Sequence, residues 1–110
     1  MSKRDIHLYI DDINNSIAKI EEYTDRLTAD EFVADQKTID AVVRNLSIIG
    51  EAVNNIPEEI KEQYAEVPWN AVIGMRNKII HEYFGVDEDI LWKTIKEDLP
   101  AFRDQIERLF

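Results

Sequence analysis

The stretch KTIDAVVRNLSIIGEAVNN, residues 37–55, carries apolar side chains on two sides of one helix. Ile39, Val42, Val43, Leu46, Ile49 and Val53 recur at spacings of three and four, the pattern of an amphipathic helix. Ala41, Ile48 and Ala52 form a second, opposite stripe, and Arg44, Ser47, Glu51 and Asn54 run as a polar line between the two. A helix that is apolar on two sides is buried on two sides. In a chain of 110 residues, it is either the central helix of a monomeric bundle or a helix shared between a core and a subunit interface. The pattern leaves both open.

The flanking sequence reads as more helices. Upstream, Ile6, Ile10, Ile13, Ile17 and Ile20 make one narrow stripe, with Asp and Glu over most of the other face. Thr28 with Glu31 three residues on is a capping box that opens a short helix through about Ala34. Downstream, Pro57 suits a first helical position ahead of Glu58 and Glu59, and a short helix through Tyr64 follows. Pro68 opens another helix, through about Tyr83, with Gly85 at its end. Asp87 or Asp89 caps a last helix whose buried face is Leu91, Ile95, Leu99, Phe102, Ile106 and Leu109. Pro100 lies inside that pattern, so a kink or break is expected there. The expectation is all-α: one compact helical bundle of about five to six helices, a single domain over residues 1–110. Gly and Pro, at three each, are too few for a many-stranded sandwich.

Composition narrows the chemistry. The absence of cysteine excludes disulfides, zinc–thiolate sites and cysteine nucleophiles. His7 and His81 are the only imidazoles, so a multi-histidine metal site within one subunit is not expected, and neither metal nor cofactor is called for. The opening residues lack an apolar h-region, and no run reaches bilayer length, which predicts a soluble cytoplasmic chain. Acidic residues outnumber basic ones by 23 to 13, a net charge of −10, which repels nucleic acid at long range. Contact with RNA then needs a locally basic site or the help of a partner.

Residues 69–84 place one anomaly on a helical wheel. Trp69, Val72, Ile73, Ile79, Ile80 and Phe84 share one side, and Arg76 falls in their midst. A guanidinium cannot shed its charge and is costly in an apolar stripe unless it is paired or borders a cleft. It either forms an ion pair with a carboxylate such as Glu51, or waits at a groove for an anion, most simply a phosphate. Asn77 and His81, four apart, project together from the edge of the same face, and Tyr83 follows Arg76 by seven. Arginine and histidine together suffice for metal-free RNA cleavage: the imidazole accepts the 2′-hydroxyl proton, and the guanidinium holds the phosphate. The bland alternative is a boundary histidine on an ordinary amphipathic helix, and the break in the apolar pattern at Arg76 weakens it.

These residues also resemble a known family. Arg76-Asn77-Lys78-Ile79-Ile80-His81-Glu82-Tyr83 is similar to the R-x4-6-H-x-Y signature of HEPN ribonucleases. Arg44-Asn45-Leu46-Ser47-Ile48-Ile49-Gly50-Glu51-Ala52 resembles a helix of the HepT branch, as do Pro68-Trp69, Ile73-Gly74-Met75-Arg76-Asn77, Tyr83-Phe84-Gly85-Val86-Asp87, Trp92 and Asp98-Leu99-Pro100. The likeness spans most of the chain from Thr38 onward. It implies a helical bundle that forms a homodimer, with the motif helices of both subunits facing one cleft. It also implies a metal-independent RNA endonuclease used as a toxin, with Arg76, His81 and Asn77 as the catalytic set. The implied partner is an MntA-like nucleotidyltransferase antitoxin, which transfers AMP to Tyr83. Glu51 is then a supporting residue that orients Arg76 or His81, and Arg44 one that binds phosphate or holds the dimer.

Two other functions compete. Some HEPN relatives bind nucleotides or accompany a nucleotidyltransferase without cutting RNA. A structural adaptor, with Arg76 only a buried ion-pair residue, is the third class.

Overall fold

Isoleucine burial anchors the first helix, α1 (Ile6–Thr24), more strongly than its cap does. Ile13, Ile17 and Ile20 are fully buried, each worth about 1.5–3 kcal/mol. The Asp5 carboxylate, which accepts from the His7 backbone amide at 2.8 Å, adds about 1 kcal/mol. The computed structural model describes residues 5–81 and 87–110; among these there is no strand.

The capping box read from Thr28 and Glu31 is formed in both directions, at 3.2 and 2.9 Å, and opens α2 (Ala29–Val33). Its Phe32 is buried and packs on Trp92 at 5.1 Å between centroids. Asp35 caps α3 (Gln36–Asn55), accepting from both the amide and the hydroxyl of Thr38. The Thr38 side-chain bond, followed by the backbone one, holds the Asp35 carboxyl below its ordinary range. α4 (Glu58–Gln63) begins one residue later than expected, with Pro57 as its cap. Trp69 begins α5 (Trp69–His81). The expected end of that helix at Tyr83 and Gly85 lies outside the described residues.

Asp87, rather than Asp89, caps α6 (Glu88–Lys93). No break follows. A π segment (Thr94–Asp98) runs directly into α7 (Leu99–Leu109). Pro100 has no amide to give to the carbonyl four residues back. A widened turn just ahead of it, with Leu99 donating to the Thr94 carbonyl, absorbs that loss and keeps the rod continuous. Counted as one rod, α6 to α7 brings the total among the described residues to six, as expected.

α3 packs against α1 on one side and α5 on the other. All six residues of its main stripe are buried, as is Ala52 of the second stripe, while Ala41 and Ile48 are half-buried. A central helix within one chain therefore accounts for the main stripe and for Ala52 of the second. α7 closes the bundle. Arg103 pairs with Glu21 of α1, and that hydrogen bond pushes the guanidinium above its ordinary range. Buried Trp69 fixes the start of α5, donating from Nε1 to the Tyr64 carbonyl at 3.0 Å and packing edge-on against Phe102 and Phe110. No helix among the described residues is long and apolar enough to cross a membrane.

Candidate active site

The site begins where α5 crosses α3. At that crossing Gly50 is buried, and a Cβ built on it would lie 2.1 Å from Cβ and 2.5 Å from Cγ of Arg76. Ordinary carbon contacts are about 3.5–4.0 Å, so only glycine lets the stem of Arg76 lie this close to the α3 backbone. The head of the side chain is then held at two points. Nη2 donates to Oε2 of Glu51, the residue after Gly50, at 2.5 Å, and Nη1 donates to Oδ1 of Asn77 at 2.7 Å. Nε is buried with no hydrogen-bond partner among the described residues.

This arrangement meets parts of both sequence readings of Arg76. The carboxylate expected from a structural role is present. The pair is not sealed in the core, however: the Arg76 side chain is 24% exposed and that of Glu51 is 54% exposed. Such a pair sits at a solvent edge, where an incoming anion can reach the guanidinium and compete for it.

The other expected residues are placed unevenly. Asn77 is exposed and turns its carbonyl to Arg76, so its amide nitrogen is left for another acceptor. His81 is the last described residue of α5 and is exposed, with no hydrogen bond to Arg76 or Glu51. Five helical residues turn the side chain by about 140° and advance it about 7.5 Å, so within one chain the two groups do not stack. Arg44 is exposed, with no partner among the described residues. It stands two turns before Glu51 on nearly the same line of α3, about 10 Å away along the axis, and is not brought to Arg76. Tyr83 lies outside the described residues. Among the described residues no group of three or more His, Asp or Glu side chains is arranged to hold a metal ion. The groups on hand are a guanidinium, a carboxylate, an amide and an imidazole.

Gly50 is the residue that sequence reasoning passed over, quoting it only within a motif string. The available signal was energetic. Glycine inside a long helix costs about 1 kcal/mol relative to alanine and calls for a packing reason. A separate cavity of about 400 Å³, lined by Ile49, Val72, Met75, Leu99 and Phe102 among others, lies between α5 and the π–α7 rod. It is apolar and includes none of Arg76, Asn77 or His81.

Comparison with known proteins bears on the whole chain. The family model described as "Ribonuclease HepT-like" matches residues 13–109. "Probable ribonuclease HepT" of Thermococcus cleftensis is 47% identical over 107 residues, 97% of each chain. "Putative RNase MJ1380" of Methanocaldococcus jannaschii is 40% identical over 107 residues, 97% of this chain and 98% of its own length. A longer protein of that organism, "Gamma-glutamylcyclotransferase and putative RNase MJ0434", is 39% identical over 107 residues, which is 48% of its length. No solved structure matches the chain significantly.

Proposed function

The chain belongs to the HepT-like ribonuclease family, and from that premise we propose that it is a metal-independent RNA endonuclease, acting in the cytoplasm as the toxin of a HepT/MntA (type VII) toxin–antitoxin pair. The observation that carries this reading is Arg76. Its guanidinium is fixed by Glu51 and Asn77, stays partly open to solvent, and shares a helix with an exposed imidazole.

In the proposed mechanism His81 accepts the proton of a 2′-hydroxyl. The freed oxygen bonds to the adjacent phosphorus, the bond from phosphorus to the 5′-oxygen breaks, and the leaving oxygen takes up a proton. Arg76 holds the phosphate and offsets the charge that develops on it, with Asn77 as a further donor. The turn between residues 76 and 81 supports a homodimer as the working unit. One chain presents the two groups on different sides of α5, and a second α5 across a two-fold brings an arginine and a histidine to the same phosphate. Arg44 and Lys78, both exposed, add positive charge to such a cleft against the acidic exterior. In the same reading an MntA-like antitoxin attaches AMP to Tyr83, which adds a competing phosphate at the motif and bars RNA.

The test is incubation of purified dimer with RNA in EDTA. Cleavage that survives chelation and is lost in His81→Ala supports the enzyme. Intact RNA, from protein shown by mass to be unmodified, refutes it. One observation favours the structural adaptor instead: Arg76 already has a carboxylate partner. Under that reading RNA stays whole, and Arg76→Met changes neither RNA nor growth.

A further inference from the structure

We infer that Gly50 is a positioning residue for Arg76: it clears the stem of the guanidinium so that the head falls to Glu51 and Asn77. The inference rests on the proposed ribonuclease for its functional meaning, but its geometry stands apart from that reading. The two closest atoms to a Cβ at position 50 are Cβ and Cγ of Arg76, at 2.1 and 2.5 Å, and the next is the Arg76 Cα at 3.5 Å. The conflict is therefore with the root of the side chain. A change of rotamer cannot relieve it, because Cβ is fixed by the α5 backbone. The only relief is to move α5 away from α3 by about 1.5 Å, the difference from an ordinary carbon contact.

Consecutive residues of α3 thus act on the two ends of one side chain. Gly50 admits the stem, and Glu51 takes Nη2. Nε, the guanidinium nitrogen nearest the stem, is buried. The other glycine of the described helices marks the contrast: nothing lies within 4 Å of a Cβ placed on Gly74. A glycine needed only for backbone freedom does not explain position 50, which lies in mid-helix and has no positive φ.

The experiment is Gly50→Ala in the full chain, read three ways. The Arg76 Nε–H resonance in a ¹H–¹⁵N spectrum, assigned by its loss in Arg76→Lys, should be slow to exchange in the parent protein and shift or exchange faster in the variant. RNA cleavage should fall about 100-fold in kcat, as expected for a displacement on the order of 1 Å, with a smaller change in KM. Urea unfolding should show coupling. Gly50→Ala lowers the midpoint when residue 76 is Arg and leaves it unchanged or raised in an Arg76→Gly background, which has no Cβ or Cγ to strike. That background also covers the case in which Gly50→Ala alone fails to fold. An unmoved Nε–H resonance, or an equal midpoint loss in both backgrounds, overturns the positioning role. If the parent protein cleaves no RNA, the proposed ribonuclease fails, while the resonance and the unfolding cycle still decide the role of Gly50.

Discussion

Replacing Glu51 with Gln separates two things the carboxylate does to Arg76, and the structure sets the size of each. Gln keeps an oxygen that can accept from Nη2, so the guanidinium retains its orientation; what is lost is a negative charge beside a site proposed to bind phosphate. At about 5 Å and an effective dielectric of about 40, one unit charge repels another by about 1.7 kcal/mol. That is a little over tenfold in affinity at 1.4 kcal/mol per decade. Because Glu51 is 54% exposed, water and salt screen part of the repulsion, and the expected gain is roughly three- to tenfold. The assay is binding of a 2′-deoxy oligonucleotide, which lacks the nucleophile and reports affinity without turnover, together with kcat on RNA. The variant should bind three- to tenfold tighter at low salt, with kcat changed by less than about threefold. Stability should fall by no more than about 1 kcal/mol, the usual worth of a partly exposed pair. Unchanged or weaker binding, with kcat collapsing, refutes the reasoning. It would show that the negative charge itself, rather than an acceptor at that point, holds Arg76 in its working position.

Three further outcomes follow from the described contacts. Gly74→Ala should raise stability by about 0.5–1 kcal/mol in urea unfolding, since the site is mid-helix and open; a loss would mean that something packs against that face of α5. Thr28→Ala removes one half of the capping box and should cost about 1 kcal/mol, seen as a fall of several degrees in Tm. Asp35 has a lowered pKa in the fold, so its contribution is present above the unfolded carboxylate value and is lost as pH falls through the lower folded one. Unfolding midpoints of the parent and Asp35→Ala should therefore differ near neutral pH and converge in acid; a gap that persists below the folded value would contradict the assignment.

What the sequence disclosed and what it hid divide by range. The Thr28–Glu31 box and the buried stripes of α1 and α3 are local patterns, decided within one or two turns, and they appear in the structure as read, while of the two caps offered for α6 the structure uses Asp87. The Pro100 rule was also local, but its outcome was not. The missing amide predicts a disturbance without saying that, as here, the turn ahead of it widens into a π segment. The site depends on a contact between residues 25 apart in sequence. The misplaced arginine was visible on the helical wheel, and Glu51 was among its possible partners. No periodicity shows that the α5 stem would meet the α3 backbone at a glycine. Arg44 marks the same limit. Its line along α3 leads to Glu51, but two turns of rise keep it from Arg76.

The choice of Glu51 by Arg76 cannot come from charge. The chain offers 23 carboxylates, and a solvent-edge guanidinium gains little by preferring one over another. Selection comes from the stem. With Cβ and Cγ lodged over Gly50, the reach of the head is restricted, and the adjoining residue on α3 is where Nη2 arrives. Asn77, next along α5, takes Nη1. Geometry chooses the partner and electrostatics only strengthens the choice. For this reason a loss of charge at position 51 should leave Arg76 in place and alter what it binds. A gain of one methyl at position 50, which carries no charge at all, should move the guanidinium off its partners.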